Sequence, residues 1–249
     1  MMARPQEPLG PDETLDSFGQ GRLWVIQKKQ GYRFSLDAVL LAGLTTLRPQ
    51  DRVMDLGTGC GIVLLMLAYR FPRCSFVGVE GQPALAALAG RNARLNALED
   101  RIDIIAEHMQ HLPHHYPPES FTVVVSNPPY RPLASGRLNP CPERAIARHE
   151  LQGSLDLVAQ TAKYLLPPGG RLSVIYPAWR LVHLCCRLRF HLLEPKILRL
   201  IHSRPGEEAR LVWVEARKGG GEELKILPPL TIYHSQGRYT AEMEELFDQ

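Results

Sequence analysis

Short apolar runs alternate with longer helix-like segments along most of this chain. From residue 50 onward the predicted strands cover residues 52–57, 74–80, 101–107, 121–130 and 171–177. The predicted helices between and after them cover residues 61–71, 83–97, 150–166 and 179–190. Strands that alternate with helices of about 10–15 residues are typical of βαβ units and a parallel sheet.

The two ends of the chain have a different pattern. Two long runs, residues 194–203 and 209–218, are predicted to be antiparallel strands at the edge of the sheet. Residues 21–35 contain two β-like runs around the turn-prone KKQG, which predicts a hairpin, and a helix with Ser35 as its cap follows. The predicted fold class is α/β, with a Rossmann-like, doubly wound, mostly parallel seven-stranded sheet, an antiparallel C-terminal edge and a small N-terminal hairpin and helix.

This pattern also predicts the domain organisation. We expect a mobile tail, a hairpin and helix that pack on the core, one main domain and an acidic C-terminal tail, over residues 1–14, 15–49, 50–240 and 241–249 respectively. A length of 249 residues suits one large α/β domain.

Charge is distributed unevenly along the chain. The formal net charge is +3, but residues 21–218 hold 26 basic and 16 acidic side chains, and both ends are acidic. A basic body favours a polyanionic partner. The five cysteines are odd in number and include no CxxC pair, which argues against a disulfide framework or a zinc ribbon. This cysteine usage predicts a reducing, cytoplasmic location. No apolar run is long enough to span a bilayer, and we expect no membrane partner.

The sequence DLGTGCG lies where a predicted strand becomes a predicted helix. Its functional candidates are Asp55, Gly57, Thr58, Gly59 and Gly61. Glycines here permit a tight turn and a close approach of ligand to backbone, and the helix that follows offers free N–H groups. A structural turn without a ligand and an NAD site are the alternatives, although a dinucleotide fingerprint is spaced G-x-G-x-x-G.

With an acid two residues before the first glycine, this turn resembles the S-adenosylmethionine turn of class I methyltransferases. The resemblance implies S-adenosylmethionine as cofactor, Asp55 under its amino group and Glu80 holding both ribose hydroxyls. At the end of the third strand the family often has an acid that contacts the adenine, but here Glu107 is followed by His108. Either residue, or hydrophobic packing alone, is expected to hold the adenine. Asn92 and Asn96 are predicted to be exposed helix residues.

The sequence NPPY ends the fourth predicted strand and is the more specific motif. It consists of Asn127, Pro128, Pro129 and Tyr130. It resembles the motif of methyltransferases that act on planar sp² nitrogens, such as adenine N6 or the amide of glutamine. The Asn127 oxygen and the Pro128 carbonyl suit the two hydrogens of such an amine, the prolines fix the turn, and Tyr130 offers a flat face for stacking. The alternative is a strand-ending turn without chemistry.

The segments that flank these motifs narrow the range of possible substrates. Residues 15–44, including YRFSLDAVLLA, and RPGEEARLVWVEARKGG closely resemble the bacterial family of tRNA(Val) adenine N6-methyltransferases, and the resemblance covers most of residues 15–240. It implies an RNA partner, tRNA, and places Phe34 and Asp37 over the methionine end of the cofactor. Asp37 could equally be only a helix N-terminal residue. A glutamine N5-methyltransferase acting on protein and a non-catalytic RNA-binding module on the same fold are the alternative functions.

Basic residues cluster after the NPPY motif. Arg131, Arg137, Arg144 and Arg148 follow it directly, and residues 171–218 hold ten basic and four acidic side chains among Tyr176, Trp179, Phe190 and Trp213. Such a surface suits RNA phosphates.

The histidines His108, His111, His114 and His115 suggest a metal site, but nearby prolines break any helix that would align them. We expect a polar surface loop there and no metal.

Overall fold

The computed structural model describes residues 8–30, 33–128, 155–235 and 237–248. Its strands are, in chain order, β1 Glu13–Phe18, β2 Leu23–Lys28, β3 Arg52–Leu56, β4 Ser75–Glu80, β5 Ile102–Ala106, β6 Val123–Ser126, β7 Arg171–Pro177, β8 Leu193–His202, β9 Ala209–Lys218, β10 Lys225–Ile226 and β11 Leu230–Thr231. Its α-helices are α1 Leu36–Leu44, α2 Ile62–Arg70, α3 Pro83–Leu95, α4 Leu155–Leu165, α5 Leu181–Phe190 and α6 Ala241–Asp248. Two short 3₁₀ helices cover Met109–His114 and Ala178–Arg180.

One mixed sheet organises the molecule. Its strand order is β10, β8, β9, β7, β6, β3, β4, β5, and β11 also pairs with β8. Strands β7, β6, β3, β4 and β5 are parallel to one another, and β9 runs antiparallel to both β7 and β8. The predicted Rossmann-like fold with an antiparallel C-terminal edge is therefore confirmed. The seven predicted strands are β3 to β9, and two strands of two residues each are added along β8.

The sheet separates two hydrophobic cores. Along β3, Val53 packs into the core under α1, α2 and the N-terminal hairpin, whereas Met54 packs into the core under α4 and α5. Val123 and Val124 of β6 divide in the same way. Successive side chains of a strand point to opposite faces, so strands that are apolar throughout need helices on both sides. This explains the continuous hydrophobic runs of the central strands.

The N-terminal hairpin lies one strand earlier than the sequence predicts. β1 and β2 pair antiparallel through a turn at residues 19–22, with Phe18 opposite Leu23, and KKQG is not the turn. Gly19, Gly21 and the intervening Gln20 all have positive φ, a conformation that the two glycines adopt without strain. Residues 13 and 14 belong to β1 and not to a tail.

The C-terminal acidic segment is helical. In α6, Met243 and Leu246 are buried in the core and Glu242, Glu244 and Glu245 are exposed. This amphipathic pattern attaches the end of the described chain to α1, where a tail was predicted for residues 241–249. Within the described ranges, no helix is both long and apolar enough to cross a membrane.

Candidate active site

The glycine-rich turn connects β3 to α2 at the carboxyl edge of the sheet. Gly57, Gly59 and Gly61 have φ values of +80°, +57° and +85°, which side chains with a Cβ rarely adopt. A Cβ on Gly61 would lie 3.2 Å from the Ala89 Cβ of α3, whereas a Cβ on Gly57 would meet nothing within 4 Å. Gly61 therefore serves helix packing, and Gly57 leaves open space beside the backbone for a ligand.

Glu80 is fixed against this turn at the end of β4. Its Oε2 accepts a hydrogen bond from the Gly59 N–H at 2.9 Å, and its Oε1 accepts one from the Gln82 N–H at 2.9 Å. Burial raises the pKa of Glu80, while these two N–H groups act in the opposite direction. The carboxylate is thus held in one position, with lone pairs left on both oxygens for further donors.

Asp55 and Thr58 each have a buried polar atom without a partner. Asp55 Oδ2 and Thr58 Oγ1 are enclosed and make no hydrogen bond within the described part of the chain. Burial raises the pKa of Asp55 to about 7, with a smaller raising effect from Glu80 and a lowering effect from Thr58. An unpaired buried polar atom costs about 1–3 kcal/mol, so such atoms in a native protein commonly mark a ligand site.

These residues fit S-adenosylmethionine. The unpaired Asp55 oxygen suits its cationic amino group, Glu80 suits its ribose diol, and the space at Gly57 admits it to the backbone. Glu80 ends β4 beside the turn, and its role toward the ribose stays a prediction.

Glu107 and His108 both line a cleft at the end of β5, together with Gly57, Glu80 and Met109. Glu107 Oε1 accepts a hydrogen bond from the His108 N–H at 2.7 Å and lies 3.0 Å from His111 Nδ1. These contacts lower the pKa of Glu107. The His108 ring packs on Gly81, because a Cβ there would lie 2.6 Å from Nδ1. The Glu107 carboxylate is thus taken up by contacts within its own segment, whereas the His108 ring lies against Gly81, the residue after Glu80.

The NPPY motif begins on the strand next to β3. In the parallel register, Asp55 is opposite Val125. Asn127 and Gly57 each lie two residues beyond this pair, so they are at the same level of the carboxyl edge. The Ser126 hydroxyl donates to the Leu56 carbonyl oxygen at 2.9 Å, which fastens the two strand ends together. Asn127 is half-buried and Pro128 is buried. Pro129 and Tyr130 lie outside the described residues, as do Arg131, Arg137, Arg144 and Arg148.

Asp37 lies in the first turn of α1, a helix that packs against α2. It is half-buried, and this burial raises its pKa. Ser35 occupies the predicted cap position, although its side chain makes no capping hydrogen bond to the helix backbone. Phe34 packs edge-on against Phe18 of β1, at 6.5 Å between ring centroids. The role of Asp37 toward the cofactor stays a prediction.

Two asparagines of α3 were predicted to be exposed, and this prediction is wrong. Asn92 Oδ1 accepts from the Ile26 N–H at 2.7 Å, and its Nδ2 donates to the Ile26 oxygen at 3.1 Å and the Cys60 oxygen at 2.9 Å. Asn96 makes the same pair of hydrogen bonds with Trp24, at 2.8 and 2.7 Å. The two side-chain amides make the backbone hydrogen bonds with β2 that a neighbouring strand would otherwise make. Asn92 also links β2 to the glycine turn through the Cys60 oxygen. The i, i+4 spacing of the asparagines was the available indication in the sequence.

The histidine-rich segment forms a short 3₁₀ helix, Met109–His114, with Pro113 inside it, and is therefore more regular than the predicted loop. The rings of His111 and His114 are stacked at 6.0 Å between centroids. Across the described ranges, no group of three or more histidine, cysteine or acidic side chains is placed to hold a metal ion.

The aromatic residues predicted to lie on an RNA surface separate into two pairs. Trp179 and Phe190 are exposed, but Tyr176 and Trp213 are buried, and the Trp213 indole N–H donates to the Ser173 hydroxyl at 2.8 Å. Strand β7 is covered on both faces, so Tyr176 belongs to the core. Trp179 and Phe190 are the exposed pair.

Comparisons with known proteins indicate the family of the chain. A family model described as "Methyltransferase domain" matches residues 47–205. A Porphyromonas gingivalis protein named tRNA1(Val) (adenine(37)-N6)-methyltransferase is 30% identical over 242 residues, which cover 93% of each chain. An Aeromonas hydrophila protein of the same name is 30% identical and covers 82% of this chain and 84% of its own.

Solved structures give the same fold. A structure described as a predicted O-methyltransferase from Agrobacterium tumefaciens has a TM-score of 0.69 and 25% identity, and covers 85% of this chain and 95% of its own. Geranyl diphosphate methyltransferase in complex with S-adenosylmethionine has a TM-score of 0.51 at 15% identity, and covers 74% of this chain and 84% of its own. With a family match over residues 47–205, beside its glycine turn and the acids Asp55 and Glu80, the chain belongs to the class I S-adenosylmethionine-dependent methyltransferases.

Proposed function

We propose that this methyltransferase acts on the exocyclic N6 amine of an adenine in tRNA. The observation behind the proposal is the position of Asn127 and Pro128, directly after β6 and beside the strand that ends in Asp55 and the glycine turn. The names of the relatives from Porphyromonas gingivalis and Aeromonas hydrophila support the same substrate.

An exocyclic amine is a poor nucleophile, because its lone pair is delocalised into the ring. The Asn127 side-chain oxygen accepts one amine hydrogen and the Pro128 backbone carbonyl accepts the other. These two acceptors pull the nitrogen toward tetrahedral geometry and direct its lone pair. Pro128 and Pro129 restrict the backbone, which matters because a misplacement of about 1 Å costs about 100-fold in rate. Tyr130 stacks on the base.

Asp55 and Glu80 hold the cofactor, which supplies a methyl group on a positively charged sulfur when bound. Asp55 accepts a hydrogen bond from the amino group and provides its counter-charge. Glu80 accepts from the ribose hydroxyls, while the N–H groups of Gly59 and Gln82 keep its carboxylate in place. His108 borders the adenine end of the cleft, since Glu107 is engaged with His111. No strong base is required, because the amine loses its proton after it has become cationic.

Methyl transfer from labelled S-adenosylmethionine to total tRNA, ribosomal RNA and protein, followed by nucleoside analysis, tests the proposal. We expect label in tRNA as N6-methyladenosine. Label in protein alone, on glutamine, would replace the proposal with the glutamine N5 alternative. Binding of RNA without any transfer or cofactor binding would favour the non-catalytic alternative. The Asn127→Ala variant serves as the background control.

A further inference from the structure

Trp179 is an exposed aromatic residue at the substrate edge of the sheet. It lies in the 3₁₀ helix Ala178–Arg180, directly after β7, and 75% of its surface is accessible. β7 pairs with β6 so that Val174 is opposite Ser126, the residue before Asn127. β7 continues three residues beyond this pair to Pro177, which corresponds to roughly 10 Å along the strand. Trp179 therefore stands above the strand next to Asn127, on the edge that holds the glycine turn.

The surroundings of Trp179 are basic. The segment 178–192 contains three arginines and two histidines and no acidic residue. The Arg180 guanidinium lies 5.6 Å from the Trp179 ring centroid and 5.6 Å from that of Tyr176, and it donates to the Tyr176 hydroxyl at 3.2 Å. Burial and the charges of Arg180 and Arg187 lower the pKa of His183, and the nearby acid Asp156 acts in the opposite direction. An exposed indole in a cationic setting suits a polyanion that also presents flat rings.

The far end of α5, the helix that follows the 3₁₀ helix of Trp179, provides a contrast. Phe190 is 69% exposed, and the Arg187 guanidinium lies 4.5 Å from its ring centroid. Arg187, however, is paired with Asp156, and Arg189 is paired with Glu194 and Glu222. Phe190 is also roughly 15 Å farther from the carboxyl edge of the sheet. Phe190 is therefore exposed like Trp179 but does not lie at the carboxyl edge of the sheet.

We propose that the indole of Trp179 stacks on a nucleobase of the RNA that neighbours the base held by Asn127 and Pro128. This inference rests on the proposed function and adds a specific contact for the RNA. A flipped target base leaves its neighbours unstacked, and a fixed aromatic face on the protein replaces part of the lost stacking. Trp179 is thus a positioning residue for the substrate and takes no part in the transfer itself.

The test compares Trp179→Ala, Trp179→Phe and Phe190→Ala as full-length proteins, with an unmodified tRNA1(Val) transcript as probe. Trp179→Ala should weaken RNA binding and raise the KM for RNA by about 10-fold or more, because base–aromatic stacking is lost. Trp179→Phe should stay within about threefold of the wild type, since a flat ring remains, and Phe190→Ala within about twofold. Affinity for S-adenosylmethionine and the thermal midpoint should not change in any of the three.

The outcomes separate this inference from the proposed function. If the wild type methylates the transcript and Trp179→Ala binds RNA as well as Phe190→Ala does, the stacking proposal is wrong and the proposed function stands. If the wild type neither binds nor methylates RNA, both are wrong. If Trp179→Ala converts a dimer to a monomer in sedimentation experiments without changing RNA affinity, the residue belongs to a self-association surface, which also overturns the proposal.

Discussion

Helices α3 and α5 pack beside opposite halves of the sheet and differ in which side chains they bury. On α3, the polar Asn92 is completely buried and all its side-chain hydrogen bonds are to backbone groups. On α5, the apolar Val182 is 78% exposed, Cys186 is exposed and Cys185 is half-buried. Polarity alone therefore predicts burial incorrectly on both helices.

The difference corresponds to the two substrates of a transferase. In the proposed function, the half with α3 holds the small cofactor, and its polar groups are enclosed by the protein. The half with α5 would then face the RNA, and a surface that binds a macromolecule leaves part of itself uncovered. The following predictions test this contrast, beginning with the largest effect.

Replacing Asn92 with alanine should destabilise the protein by about 3 kcal/mol, because the buried Ile26 N–H and two carbonyl oxygens lose their partners. Affinity for S-adenosylmethionine should also fall, since Asn92 holds the Cys60 carbonyl in the glycine turn. Urea unfolding and calorimetric titration of the cofactor measure the two effects.

Asn96→Ala is the matched control for this change. Asn96 holds Trp24 by the same pair of hydrogen bonds but is only half-buried and does not contact the glycine turn. We expect a loss of about 1 kcal/mol in unfolding free energy and no change in cofactor affinity. Equal effects of the two variants on the cofactor would show that Asn92 has no special link to the turn.

Asp55 should make cofactor binding depend on pH. Its pKa of about 7 means that the carboxyl is protonated below pH 7 in the free protein, whereas a cationic amino group binds to the ionised form. The Kd for S-adenosylmethionine should therefore rise about tenfold for each pH unit below 7, with proton release on binding at low pH, and level off above 7 until the cofactor's own amino group loses its proton at about pH 8. In Asp55→Asn, binding should be weaker and this slope should be absent.

The same group affects folding in the opposite direction. Its pKa in the free folded chain is above the ordinary value, so the folded state holds a proton that the unfolded state has lost between about pH 4 and 7. Stability of the free protein should decrease as pH rises through this interval, and Asp55→Asn should unfold at a higher temperature than the wild type above pH 7. A lower midpoint for the variant there would contradict the burial argument.

The smallest effect is expected on the exposed face of α5. Val182→Thr keeps the side-chain shape and should change unfolding free energy by less than about 0.5 kcal/mol. The matched variant Val158→Thr places a hydroxyl in a fully buried position of α4 and should cost about 1–3 kcal/mol. If both variants are destabilised equally, the α5 face is covered in solution.

Strands β3, β4, β6 and β7 could be predicted from the sequence because they are buried along nearly their whole length and therefore form continuous apolar runs. Asp55, the glycines and Glu80 could be placed because short spacings fix them at strand ends. Asn92 could not, because its burial depends on a strand 66 residues away in the chain. The hairpin turn was misplaced because KKQG and FGQG have similar turn propensity, and only the packing of β1 on β2 decides between them.

The central claim is that the cofactor and the substrate are held by separate residues that meet at one edge of the sheet. Calorimetric titration of S-adenosylmethionine into the Asn127→Ala variant tests it most directly. The account predicts a Kd within a few-fold of the wild type in a protein that no longer transfers methyl groups. Loss of cofactor binding in this variant, or retention of transfer, would contradict it.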